Sequence, residues 1–554
     1  MNRLVVAMVL LCTLPVLHAQ QSATVLFTGA RFITLDARTP VAEAVLVSHG
    51  RIRTVFAKAP AAAPKGARSV DLSGAVVVPG LHDAHLHLAG LGESEINVDL
   101  SGTRSAQDVV ARVAERLKTH QGQILFGRGW DQNDWTCAEP AVAPCGGTMP
   151  DRALLDAVSL EKPIYLRRID GHAAWMNSAA LKLAGPDALG VDPPGGRILR
   201  DGKNTPSGVL VDGAMELVSS RFPVPTPKDI EERVTRGAAR ARAAGLTAVH
   251  DMGTTPAELD AMRALDRRGE LPVRVFVYLD GMDPRVLDQL PAGGPREGEG
   301  HVEVRGVKLY ADGALGSRGA ALLAPYADEP GTSGLLVTPS KVLEEKTRAV
   351  DARGFQVAIH AIGDKGNREV LELFARLRTD ARQRRHRVEH AQVVNPADWG
   401  AFKALNVVAS MQPTHATSDM PWAEKRLGPE RIKGAYAWKS LQQAGATLAL
   451  GSDAPVESEL PLLGLYAART RQDHEGKPAA GWRAAEALDG MEALRGFTTG
   501  AAWAVGHEKD LGVIREGARA DFTVLEGDPV TLDPGALLKL RVLGTWLDGV
   551  KTAP

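Results

Sequence analysis

The sequence predicts an α/β fold built on a (β/α)8 TIM-type barrel, with a composite β-sandwich from both termini and a large insertion after strand 1. Three observations point there. Eight β-type runs alternate with helical stretches, both ends of the chain are β-rich, and one gap between runs is far too long for a single crossover.

In chain order, residues 1–19 read as a secretory signal peptide. Arg3 gives a basic start, Leu4 to Leu17 is mostly apolar, and Leu17-His18-Ala19 ends on a small residue. The run falls short of the ~20 apolar residues of a membrane span, with a retained anchor as the alternative. The expectation is a periplasmic or secreted protein with no membrane attachment after cleavage. Residues 20–77 alternate short β-rich runs with turns, and residues 501–554 do the same, so the two ends are expected to build one sandwich. Between them, 78–500 holds the barrel. Its β-type runs lie at 76–88, 245–253, 273–281, 304–313, 355–364, 386–394, 406–413 and 446–455. Near-continuous apolar strands separated by amphipathic helices imply a parallel sheet covered on both faces, and eight of them imply a barrel. The gap from 89 to 244 exceeds any crossover, so residues of about 100–240 are expected to form an inserted subdomain over the barrel mouth.

Composition excludes several classes. Of 554 residues, 65 are Lys or Arg and 66 Asp or Glu, a net charge of -1, which argues against a basic nucleic-acid surface as the main feature. The expected partner is a small-molecule substrate, and a homodimer stays open. With 3 Cys the chain is no disulfide scaffold. Cys137 and Cys145 lie in Pro- and Gly-rich surroundings and form either a disulfide-closed surface loop or two free thiols. No GxSxG elbow supports a serine nucleophile.

The 15 histidines are informative by position. His85 and His87 end the first run, His360 the fifth and His390 the sixth. Asp453 lies at the end of the eighth, and Lys308 sits on the fourth. Barrels of this kind place their active sites at the C-terminal ends of the strands. Two histidines one residue apart on a strand point to the same side, and His with a carboxylate suits Zn²⁺ or a similar divalent ion. Together these six residues read as a metal site for one or two ions. Burial among cations pushes Lys308 toward the neutral amine. A neutral amine can add CO₂ and become a carbamate whose two oxygens bridge two metals; pairing with a carboxylate or binding substrate are the alternatives.

The motifs VVPGLHDAHLHL, GVKLYADGALGSR, AIHAIGD, RVEHAQ, SMQPTHATSDMPW and LGSDAPVE resemble the amidohydrolase superfamily, and most of all its amidohydrolase-3 branch, which includes N-substituted formamide deformylase-like proteins. The resemblance implies His85 and His87 on one metal, His360 and His390 on the other, a carboxylated Lys308 between them, and Asp453 as both ligand and proton carrier. HAIGD in place of an HAGE-like motif favours amide hydrolysis over ring deamination.

The expected function is metal-dependent hydrolysis of a non-peptide C–N bond, amide or formamide-like, since Zn²⁺ lowers the pKa of bound water to about 7 and yields hydroxide. Asp453 would take the water's proton and pass it to the leaving nitrogen. The same metals acting on an ester, lactone or dipeptide, and a non-catalytic binding or regulatory protein, are the other readings. Substrate contacts are expected from Trp130, Asp131 and His172 on the insertion, Asp312 and Arg318 after the fourth run, and His415 after the seventh. Asp83 is a candidate to orient a ligand histidine, and His82 is expected to pack structurally.

Overall fold

The computed structural model describes residues 24–552, apart from 121, 137–146, 186, 292 and 296–299. The segment read as a signal peptide and both Cys137 and Cys145 lie outside the described residues. Among those described, no helix is long and apolar enough to cross a membrane.

Eight parallel strands form the barrel sheet: Leu81–Leu86, Leu246–Thr254, Arg274–Asp280, Val302–Tyr310, Gln356–Ala361, Arg387–His390, Val408–Met411 and Thr447–Leu450. They fall on the eight apolar runs, because a strand buried on both faces must be apolar almost throughout. The first and last strands meet just beyond their C-terminal ends. There the Asp453 amide donates to the His85 carbonyl at 2.6 Å and the His87 amide to the Ala454 carbonyl at 2.8 Å. Asp83 reinforces this seam, accepting from the amides of His85 and Ser452 at 3.0 Å each and from the Ser452 hydroxyl at 2.6 Å.

Helices wrap the outside. Pro227–Ala243 and Pro256–Arg267 each start with a capping box and a proline in the first turn: Thr226 with Asp229, and Thr255 with Glu258. Helix Leu88–Ile96 follows His87 directly and packs on Pro227–Ala243. The contact is nearly backbone to backbone. A side-chain carbon at Gly92 would lie 1.8 Å from the Arg233 carbonyl, and one at Gly237 2.0 Å from that of Leu88. This docking anchors the chain just past the His pair.

Strands from both ends join in one eight-stranded sheet with its own apolar core, where Phe27 meets Phe522 and Trp546 edge to face at 5.5 and 6.2 Å. The run expected as one strand from 76 to 88 divides at Gly80. Val76–Pro79 pairs with Phe522–Leu525 in this terminal sheet, and Leu81–Leu86 opens the barrel. Helix Thr499–Ala504 packs under the barrel, with Ala501 and Ala504 against Ala84, Val408 and Ala449. The barrel therefore extends past 500.

The insertion is a six-stranded sheet running from Val98–Asp99 to Pro206–Asp212. It ends earlier than about 240, since helix Pro227–Ala243 belongs to the barrel wall. Its core gathers Trp130, Trp135 and Trp175, with ring centroids 6.0–6.3 Å apart.

Candidate metal centre

The strand ends bring one set of side chains together. His85, His390 and Asp453 are buried, and their donor atoms all lie within 4.8 Å of one another. Asp453 Oδ1 is 3.3 Å from His85 Nε2 and 3.1 Å from His87 Nε2. The His390 and His360 rings stand 4.6 Å apart. Lys308 Nζ lies 3.3 Å from His85 Nε2. All six expected ligand positions thus converge at one mouth. The tightest trio takes one histidine from each expected pair, with His87 joined through Asp453 and His360 lying beside His390.

Local backbone geometry sets these positions. His390 (φ 71°), Ala391 (φ 43°) and Asp453 (φ 62°) are all in the left-handed region, which costs non-glycine residues of order 1–3 kcal/mol and concentrates at functional sites. The turn lets His390 face the mouth although its neighbour Glu389 also points inward.

Whether the set suits a divalent ion is decided by its protons. A carboxylate can only accept, so the 2.6 Å contact from His85 Nδ1 to Glu389 Oε2 places a proton on Nδ1 and turns Nε2 toward the site. His390 Nδ1 likewise bonds Gln412 Oε1 at 2.9 Å. Burial and neighbouring cationic groups hold His360 and His390 well below the ordinary histidine range, hence neutral. Burial would push Asp453 up, but His85 and His87 outweigh it and keep the carboxyl well below its usual range. Burial also pushes Lys308 down to about 8, against the pull of Glu389 and Asp453. Neutral imidazoles at His360 and His390 and an ionised carboxylate at Asp453 are donors of the kind a divalent ion such as Zn²⁺ needs.

The residues match a known pattern across nearly the whole chain. The profile of the amidohydrolase family covers residues 68–553. The chain belongs to the amidohydrolase family. YtcJ of Bacillus subtilis, named as a candidate amidohydrolase, is 34% identical over 489 residues, 87% of this chain and 89% of its own. N-substituted formamide deformylase of Arthrobacter pascens is 29% identical, covering 96% and 98%. The crystal structure of a metal-dependent hydrolase of uncharacterised activity from Pyrococcus horikoshii superposes with a TM-score of 0.74 at 30% identity, over 93% of this chain and 99% of that one. The family and this structural relative make the protein a metal-dependent hydrolase.

The other expected contacts divide. In this amidohydrolase His415 opens helix Pro413–Arg431 with Nε2 3.6 Å from Asp453 Oδ2; that nitrogen is buried and has no hydrogen-bond partner among the described residues. His172 hangs over the mouth from the insertion, its ring 6.1 Å from that of His360. Burial opposes its charged form, but a 2.7 Å bond to Asp212 and the nearby Asp170 raise its pKa.

Three residues do not reach the site, and a fourth, Asp312, touches it only from behind, with Oδ1 3.6 Å from His360 Nε2. Trp130 is fully buried in the insertion's core, and its Nε1 donates to the Leu166 carbonyl at 2.8 Å. Asp131 is taken by Arg168 Nη2 at 2.6 Å and the Asn133 amide at 2.8 Å. Arg318 is a loop ion pair with Asp328 at 3.0 Å and Glu329 at 3.2 Å. Asp312 accepts from the amides of Ala321, Ile362 and Gly363 at 2.8–2.9 Å and so braces the loop after His360; burial pushes it up to about 7. Asp83 holds the barrel seam through His85's amide and not its ring, and His82 stacks on Phe276 in the barrel interior.

Sequence reading missed Arg387 and Glu389. Arg387 grips Glu389 at 2.7 and 3.1 Å and also bonds the Ala84 carbonyl and Ser410. Glu389 is held down to about 2, burial being outweighed by Arg387 and His85. The available signal was an Arg and a Glu two apart in a short strand, which places both on one face of a buried sheet.

Proposed function

We propose that this protein hydrolyses an amide- or formamide-like, non-peptide C–N bond of a small molecule. The observation that carries the reading is Asp453: ionised, buried, and within 3.1–3.6 Å of His87, His85 and His415. His85, His87, His360, His390 and Asp453 would hold the metal, one or two ions, with Lys308 as a carbamate where two are bound. When bound, a divalent ion such as zinc supplies Lewis-acid polarisation of a carbonyl and a water acidic enough to ionise near neutral pH.

The rest falls to the chain. Asp453 is ionised at neutral pH, so it accepts a proton from the attacking water and returns it to the leaving nitrogen. Glu389 fixes the His85 ring, and Gln412 fixes that of His390. His172, with a raised pKa and a lid position, supplies a donor to a substrate carbonyl or to its developing charge. The choice of an amide over an ester is supported by similarity to N-substituted formamide deformylase.

The test is the Asp453→Asn variant, assayed with metal-loaded protein on matched N-formyl amines, N-acetyl amines and esters. The expected result is a loss of about 100-fold or more in kcat on the amide-type substrates. Near-normal turnover in the variant, or esters as the only substrates of the native protein, would overturn the reading.

A further inference from the structure

Two arginines of the insertion stand near the mouth without a carboxylate of their own among the described residues. Arg128 on strand Leu125–Trp130 and Arg167 on strand Ile164–Arg168 are register partners, so their side chains leave the same face of the sheet. Both guanidinium groups converge on Gly171. A side-chain carbon placed there would lie 3.2 Å from Arg167 Nη2 and 3.5 Å from Arg128 Nη2. Gly171, at φ 76°, leaves that space open, and the next residue is His172, whose ring faces His360.

Among the described residues, the hydrogen bonds of this pair end on carbonyl oxygens: Arg128 Nη2 donates to Ile169 at 3.0 Å and Arg167 Nη2 to Gly171 at 3.1 Å. Arg128 Nε is buried with no partner among the described residues. The carboxylates whose fields reach Arg128 are engaged elsewhere: Asp453 by His85 and His87, Asp170 by Arg168 and the His172 amide, and Glu93 by Arg233. Burial, with Arg167 adding to it, lowers Arg128 to about 10. The field of Arg167 reaches His172 and Tyr310 at the mouth. Arg128 is the desolvated member and Arg167 the exposed one, so a negative group that joined them would offset the burial of Arg128 while staying within reach of solvent.

We propose that Arg128 and Arg167 form an anion-binding subsite, so that the substrate carries a carboxylate beside the amide that is cleaved. This rests on the amide-hydrolase reading for the bond, and on the geometry of the two guanidinium groups for the anion. The planar forks suit a carboxylate, and Gly171 between them is followed by His172, whose ring lies 6.1 Å from that of His360.

The experiment uses matched probes: N-formyl and N-acetyl amino acids as free acids and as primary amides, and 4-(formamidomethyl)benzoate beside its carboxamide. With metal-loaded native protein the acid is expected to exceed its amide at least tenfold in kcat/KM, mostly through KM. Arg167→Met, at an exposed position, is expected to lower that acid-to-amide ratio about 10- to 100-fold, the scale of a lost charge-assisted bond. Arg128→Lys, which keeps the charge without the fork, should lower it less than Arg128→Met. Amides hydrolysed as well as acids, or a ratio unchanged in Arg167→Met, would overturn the subsite while the hydrolase reading stands. If neither member of any pair is turned over, the hydrolase reading fails, and calorimetric binding of the acids decides the subsite. Binding lost in Arg167→Met supports it, and no binding of any acid overturns it.

Discussion

At the scale of single residues, the centre depends on partners that set protons. Glu389 decides which nitrogen of His85 faces the metal, and Arg387 keeps Glu389 ionised. Glu389→Gln is expected to weaken metal binding about 10- to 100-fold, the usual effect of losing such an outer partner. It also leaves Arg387 buried without its counter-ion, at a cost of about 3 kcal/mol or more. Chelator competition reads the first effect and urea unfolding of metal-free protein the second. Unchanged metal affinity would remove Glu389 from the account. The histidines and Asp453 were legible because titratable groups interrupt apolar strands at their C-terminal ends. Trp130 was expected to meet substrate as part of the insertion over the mouth, whereas its ring fills the insertion's core. Arg128 and Arg167 were illegible because only the register of two strands joins them.

At the scale of elements, the first and last barrel strands must meet for His85 and Asp453 to share a site. Asp83 receives two hydrogen bonds across that seam, both from Ser452, and a third from the His85 amide of its own strand. Asp83→Ala leaves buried donors unpaired and is expected to destabilise the protein by about 3 kcal/mol. Metal content should fall with it, because Asp453 follows Ser452 directly. Thermal unfolding and metal analysis of the purified variant test both; full metal content at native stability would show that the seam holds without Asp83. The eight barrel strands could be read from sequence because parallel strands covered on both faces are nearly all apolar. The ends of the insertion could not. Helix Pro227–Ala243 carries the same amphipathic pattern whether it covers a barrel or an inserted sheet, and only its close packing on Leu88–Ile96 assigns it.

Across the whole molecule, the barrel and the terminal sheet are joined by a buried ion cluster. Arg274, opening the third barrel strand, meets Asp521 at 2.7 Å and Asp548 at 2.6 Å. Burial would raise Asp548, but Arg274 outweighs it and holds the carboxyl far below its unfolded value of about 3.9. A depressed folded pKa stabilises above the unfolded pKa and loses that contribution as the pH falls below it. Asp548→Asn is therefore expected to cost about 3 kcal/mol near neutrality. The gap from the native protein should shrink below about pH 4, as followed by denaturant unfolding of metal-free protein at a series of pH values. A gap that stays constant with pH would contradict the charge argument. That both chain ends build one unit was legible from their shared β-rich pattern, while the ion cluster joining it to the barrel involves residues 247 apart or more in sequence. The central claim is that strand ends from across the barrel hold a catalytic metal at one mouth. Anomalous diffraction from zinc-loaded crystals tests it most directly. The account predicts a strong peak coordinated by Asp453 together with His85 or His390. A fully loaded crystal with no peak among these residues would contradict it.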